Sequence, residues 1–259
     1  MNYLLNHLER KISFLKSLNR KAELKPHLQA KLEFYLNLLL AYYWNKNLSS
    51  LELEDKEIVI NEILRPSIGS IVSIIRKLDI ENEIFGNKKA KKISTALDKY
   101  PGVRNQIIGH GYSYEDDIDN YLIKFEELIS AIEDSDIWLI NENYNLIYVD
   151  QTVNNINYGI NYRSDGEYIA WQCPELVSEF QVKSLYIQKN DNEYHRISPF
   201  IYIKDESNFY TFCSIEEKLT GRTKYNKLIS TGTYQLDNIE LQSLLISDDG
   251  IKRKNSNGT

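Results

Sequence analysis

YLIKFEELISAIEDSDIWLINENYNLIYVD, residues 121–150, decides the fold, because the hydrophobic period changes inside it. Tyr121, Leu122, Phe125 and Leu128 recur at the three- and four-residue spacing of an amphipathic helix, expected over Asp116 to Glu133. After Ser135 the apolar residues fall into short runs rich in tyrosine and isoleucine, the first being Ile137 to Asn141 and Leu146 to Asp150, as strands do. The chain therefore reads as α+β, an antiparallel helical bundle followed by an antiparallel β domain.

Working back toward the start, Leu4, Leu5, Leu8, Ile12, Leu15 and Leu18 mark a first helix, and Leu28, Leu32, Tyr35, Leu36, Leu39, Tyr42 and Tyr43 a second after Pro26. A third is expected from Lys56 to Leu78, kinked or broken at Pro66 and Gly69. Further helices are expected at Lys88 to Tyr100 and at Val103 to Ile108. Working forward, strands are expected at Tyr158 to Arg163, Tyr168 to Gln172, Val182 to Gln188, Phe200 to Lys204, Phe209 to Ser214 and Thr223 to Ile229. Ser164 to Gly166 and Lys189 to Asn192 sit where hairpin turns belong. The expected organisation is a helical domain over 1–135, a β-rich domain over 136–249 and a polar, flexible tail over 250–259.

A net charge of -6 among 259 residues argues against a constitutive, high-affinity nucleic-acid binder, which carries a basic excess. It leaves room for transient RNA contact at a local basic patch. Cys173 and Cys213 form no CxxC pair and have no histidine cluster nearby, so neither a zinc site nor a disulfide framework is expected. A reducing cytoplasm fits that usage. Charge interrupts the apolar residues of the first segment every few positions, and no membrane span or export signal is expected.

The segment with the most chemistry is Arg104-Asn105-Gln106-Ile107-Ile108-Gly109-His110-Gly111, which carries one of only four histidines. Arginine is a permanent cation that pairs bidentately with phosphate. Histidine accepts and donates protons near neutrality. Arg104, Asn105 and His110 are thus the candidate catalytic residues for work on a phosphodiester, with Tyr112, Tyr114 and Asp116 as auxiliary groups that position His110. Pro101 and Gly102 place Arg104 at the start of a short helix, and Gly109 and Gly111 end it at His110. Residues six apart point about 120° away from each other on an ideal helix, so their convergence needs a freed backbone or a second subunit. The residues alone also allow a structural reading, with Arg104 pairing a carbonyl or carboxylate and His110 stabilised at a helix end.

Lys88, Lys89, Lys91, Lys92 and Lys99 form the densest basic cluster, a candidate RNA-binding face or an ordinary solvated one. Asp116, Asp117 and Asp119 read as an acidic helix N-terminus before metal ligands. No metal or cofactor site is expected. His7, His27 and His195 have no partner at ligand spacing. The tyrosines of the second half make a stacking surface or simply a well-filled sheet.

An arginine, a polar residue, four further positions and a histidine, placed late in a set of long helices, resembles the HEPN superfamily of nucleases and nucleotide-binding domains. The resemblance covers residues 1–135. It implies a helical bundle that forms a homodimer with both motifs facing one cleft, and RNA cleavage without a metal. Arg104 then matches the family arginine, Asn105 the polar residue after it and His110 the family histidine. Cleavage proceeds by attack of the 2′-hydroxyl on the neighbouring phosphate. Toxin or antiphage defence activity, restrained by an inhibitor, antitoxin or trigger protein, is also what the resemblance implies. Two other readings stay open: a non-catalytic dimerisation module that binds a partner or senses a nucleotide, and a toxin modified by a nucleotidyltransferase at Tyr112 or Tyr114.

Overall fold

Asn2 starts the first helix by turning its side-chain oxygen onto the Leu5 amide at 3.0 Å. The same side chain donates from its amide to the Tyr144 hydroxyl at 2.7 Å, which ties the chain's beginning to the strand-rich half. This is a computed structural model, and it describes residues 2–47, 55, 58–59, 61–62, 68–107, 115–174, 180–205, 208–215, 222–228 and 233–237. The fold mixes helix and sheet, as the change of period at Ser135 predicts.

Helix α1 (Tyr3–Ser17) buries Leu4, Leu5, Leu8, Ile12 and Leu15. A tight turn with Asn19 in the left-handed region leads into α2 (Lys21–Asn47). That helix begins five residues before Pro26, earlier than the sequence predicts. Proline there withholds one amide from the Ala22 carbonyl, but Ala22 and Pro26 are both exposed, so the loss falls on the solvent-facing side, where it costs least. From Lys31 to Ala41 every residue of α2 is buried. It is a central helix, touching α1 on one side and strands on the other.

Of the helix expected over Lys56 to Leu78, residues 58–59 and 61–62 are described as helical, and the described continuous part is α3 (Ile68–Lys77), with Gly69 inside it; Pro66 lies outside the described residues. Helix α4 (Ile80–Phe85) ends at Gly86, whose φ of 76° suits only glycine well. Helix α5 (Asn87–Ile107) corrects the expectation of two helices divided at Pro101. The chain stays helical through Pro101 and Gly102 because Ile93, Ala96, Leu97 and Tyr100 anchor the preceding turns in the core, which outweighs one missing hydrogen bond. Helix α6 (Glu115–Glu133) follows and buries Tyr121, Leu122, Phe125, Leu128, Ile129 and Ile132.

Ile137 to Asn141, expected as a strand, is the one-turn helix α7 (Trp138–Asn141). A short apolar run does not by itself distinguish helix from strand. Here burial of Ile137, Leu139 and Ile140 is achieved within a single turn closed by Asn141 N–H to the Ile137 carbonyl at 2.9 Å.

Among the described residues nine strands follow: β1 (Asn145–Val153), β2 (Ile156–Tyr162), β3 (Tyr168–Pro174), β4 (Ser184–Asn190), β5 (Glu193–Arg196), β6 (Ile201–Asp205), β7 (Asn208–Ile215), β8 (Arg222–Lys227) and β9 (Thr233–Asp237). They form two antiparallel sheets, ordered β3-β2-β1-β4-β5 and β6-β7-β8-β9. The turns at Ser164–Gly166 and Asp191–Asn192 fall where the sequence predicts them. Asn154 and Asn155, both at positive φ, close the β1–β2 hairpin. Strands β5 and β9 were not expected. β5 is four polar or aromatic residues without alternation, and pairing with β4 is what makes it a strand. The tail over 250–259 lies outside the described residues.

The buried core is continuous from the helices into both sheets. Tyr3 of α1 packs on Tyr162 of β2 and Phe209 of β7, with ring centroids 5.1 and 5.9 Å away. Trp44 of α2 meets Phe200 edge-on at 5.9 Å. The Asn37 amide of α2 donates to the Phe212 carbonyl at 3.2 Å.

Candidate functional site

The directions of the helices determine which side chains share an end. Lys21 Nζ lies 2.7 Å from Asp119 Oδ2, and the Tyr35 hydroxyl donates to Glu133 Oε1 at 2.7 Å, each pair 98 residues apart in sequence. Constant separation over that length means that α2 and α6 run parallel. Lys16 pairs with Glu126 at 2.7 Å, while Glu9 and Glu133 both pair with Lys31, so α1 runs antiparallel to α6. Lys92 Nζ donates to the Asp134 carbonyl at 2.8 Å, and Tyr100 acts electrostatically on the Tyr121 hydroxyl, so α5 is also antiparallel to α6. The ends of α1 and α5 therefore meet the beginnings of α2 and α6.

Arg104 and Asn105 belong to this end, but in a different local setting from the one predicted. They occupy the last turn of α5, where the sequence places Arg104 at a helix start. Asp116 is the second residue of α6, at the acidic N-terminus the sequence predicts. His110, Tyr112 and Tyr114 lie outside the described residues. Lys88, Lys89, Lys91 and Lys92 are in the first turns of α5, about 18–24 Å along its axis from Arg104 at 1.5 Å per residue. Lys91, Lys92 and Lys99 are exposed. Lys99, about one turn from Arg104, borders a shallow depression shared with Glu126, Glu127 and Asp134.

Three cations that no local sequence pattern links to the motif stand at its end. Arg20, Lys21 and Lys25 sit at the start of α2. Lys25 Nζ lies 4.4 Å from the centroid of the Tyr121 ring, over which it makes a cation–π contact. Tyr121 stacks on Phe125 at 4.3 Å, and its hydroxyl is held well above the ordinary tyrosine range by burial first and then by Tyr100 and Glu33. Tyr121 thus contacts Lys25 of α2 and lies within electrostatic reach of Tyr100 of α5, one turn before Arg104. The basic residues are plain in the sequence, but nothing local joins positions 20–25 to position 104. Only the parallel packing of α2 and α6 does so. Two helix N-termini, of α2 and α6, also meet here, and both carry the positive end of a helix dipole.

Behind this end lies a buried carboxylate. Glu33 of α2 is 4 % exposed and accepts from the Gln29 amide at 2.9 Å and from Asn226 of β8 at 3.2 Å. Burial raises its pKa, and these hydrogen bonds only partly oppose the shift. The described histidines are engaged elsewhere. His7 Nδ1 donates to the Tyr3 carbonyl and His27 Nδ1 to the Glu23 carbonyl, each at 2.9 Å, and His195 Nε2 meets Glu193 Oε1 at 2.8 Å. Among the described residues no group of three histidine, cysteine or acidic side chains has the arrangement of a metal site. Cys173 is buried and free, and its thiol is raised by burial. No helix among the described residues is long and apolar enough to cross a membrane.

Compared with protein-family models, curated proteins and solved structures, the chain matches none.

Proposed function

We propose that the helical half is a HEPN-type domain and that the protein is a metal-independent endoribonuclease acting as a toxin or antiphage effector. The observation that carries the reading is the position of Tyr121, which takes the cation–π contact of Lys25 and lies within electrostatic reach of Tyr100, one turn before Arg104. It supports an RNA path in which Arg20, Lys21 and Lys25 draw phosphates to the end of α5, where Arg104 and Asn105 stand.

In this reading two copies of the chain form the cleft. Phe14 of α1, Leu18 just past its end and Ile123 of α6 are large apolar residues about half exposed, and they support the dimer. The Lys16–Glu126 pair sets their level along the helices: Leu18 and Ile123 both lie beyond it toward the motif's end. One His110 removes the proton of an RNA 2′-hydroxyl, whose oxygen attacks the adjacent phosphorus. The second copy's His110 protonates the departing 5′-oxygen, leaving a 2′,3′-cyclic phosphate. Arg104 stabilises the charge that builds on the phosphorane oxygens, and Asn105 orients phosphate or imidazole. RNA cleavage is expected to fall at least a hundredfold in both Arg104→Ala and His110→Ala while the melting temperature is kept. Full activity in either variant contradicts the reading.

A further inference from the structure

At the opposite end of α2 a cavity of about 480 Å³ opens between the helix and the β4–β5 edge of the first sheet. Lys21 and Asn45 are 24 positions apart on one continuous helix, which separates the cavity from the motif's end by about 36 Å. Its volume falls in the roughly 300–1,000 Å³ range of small-molecule sites.

Its lining combines flat aromatic faces with cations. Tyr42, Tyr186 and Tyr194 supply the rings, and Lys46 and Arg196 the positive charge, with His195 beside them. Among the described residues that line it none is acidic. In a chain whose acids outnumber its bases by six, that is a local reversal of charge. Glu193, next to the lining residue Tyr194, is turned to His195 at 2.8 Å and to Lys189 at 3.6 Å.

The groups are held in place before any ligand arrives. Arg196 Nε donates to Ser184 Oγ at 3.2 Å, and its Nη1 approaches Asn45 Oδ1 at 3.5 Å. Asn45 is itself fixed, since its amide donates to the Ala41 and Ser198 carbonyls at 2.8 and 3.1 Å. The Tyr186 hydroxyl accepts from the Gln181 amide at 2.6 Å. Tyr42 packs against the rings of Trp138 and His195 at 5.6 and 5.1 Å. A guanidinium fork and an ammonium suit the oxygens of a phosphate, while the partly exposed rings of Tyr42 and Tyr194, braced edge-on by Trp138 and Phe180, suit a planar base.

We infer that this cavity is a binding site for a small nucleotide of the nucleoside monophosphate class, its phosphate on Arg196 and Lys46 and its base against Tyr42 and Tyr194. The site is separate from the ribonuclease reading and stands or falls without it. The test is isothermal titration calorimetry of the full chain with AMP, GMP, CMP and UMP, with adenosine, guanosine, cytidine, uridine and inorganic phosphate as comparison probes. At least one nucleotide is expected to bind saturably and at least tenfold more tightly than both its nucleoside and phosphate. Lys46→Glu, at an exposed position, and Arg196→Gln are each expected to weaken that binding at least fivefold; if Arg196→Gln does not fold, Lys46→Glu alone decides. No saturable binding of any of the four at millimolar concentration overturns the inference. So does phosphate binding as tightly as every nucleotide, or affinity unchanged in the folded variants.

Discussion

Lys21 Nζ lies 2.7 Å from Asp119 Oδ2, joining the first residue of α2 to the second turn of α6. Both side chains are about half exposed, so the pair itself contributes only about 0–1 kcal/mol. What it reports is register: it sets a basic helix start beside the segment that carries Arg104.

That register leads to a first prediction. The double substitution Lys21→Ala, Lys25→Ala removes two cations from the proposed RNA path, at a stability cost of about 1–2 kcal/mol, including the cation–π contact to Tyr121. RNA cleavage at low salt is expected to fall about tenfold, with the melting temperature lowered by no more than about 5 °C. Affinity measured across a salt series is expected to show a log–log slope shallower by about 1.4, the value for two phosphate contacts on a single strand. An unchanged slope would place the RNA elsewhere.

Glu33 gives a prediction about pH. Its pKa is raised in the folded protein, chiefly by burial, so its contribution to stability is complete below the ordinary carboxylate value and is lost as pH rises through the folded value. Glu33→Gln removes the charge while keeping a planar side chain beside Gln29 and Asn226. The variant is expected to melt about 3 °C or more above wild type at pH 8, with the difference shrinking as the pH falls toward 4.5. Thermal melts across that range check it; a variant less stable than wild type at pH 8 would count against the assignment.

Gly159 marks where two strands come closest. A Cβ there would run into the Tyr148 carbonyl of β1, next to the irregular register between Val149 and Gln151. Gly159→Ala is expected to destabilise the protein by about 2–4 kcal/mol, because the obstacle is backbone and cannot swing away. Chemical denaturation reads this directly, and a loss below 0.5 kcal/mol would mean that β1 and β2 separate more easily than their pairing implies.

The periodic parts of the fold were legible in the sequence, and the parts set by tertiary contact were not. Leu4 to Leu15 and Tyr121 to Ile132 give one apolar face per helix and read correctly. Pro26 and Pro101 read as boundaries, since a proline's local cost is visible and the burial of Leu28 or Tyr100 that overrides it is not. Ile137 to Ile140 lacked the length that separates helix from strand. At the candidate site, Arg104 and His110 were legible as residue types at a spacing, whereas Lys21 and Lys25 became relevant only once α2 was seen beside α6. The cavity at Arg196 was hidden for the same reason: its lining comes from α2 and from strands some 150 residues later.

The central claim is tested most directly by the chemistry of newly made RNA ends. Purified wild type and His110→Ala are incubated with total RNA in EDTA, and the new 3′ termini are mapped. Cleavage by the wild type alone, leaving 2′,3′-cyclic phosphates, is the predicted result. RNA left intact by the wild type, ends carrying a 3′-hydroxyl, or equal cleavage by His110→Ala would contradict it.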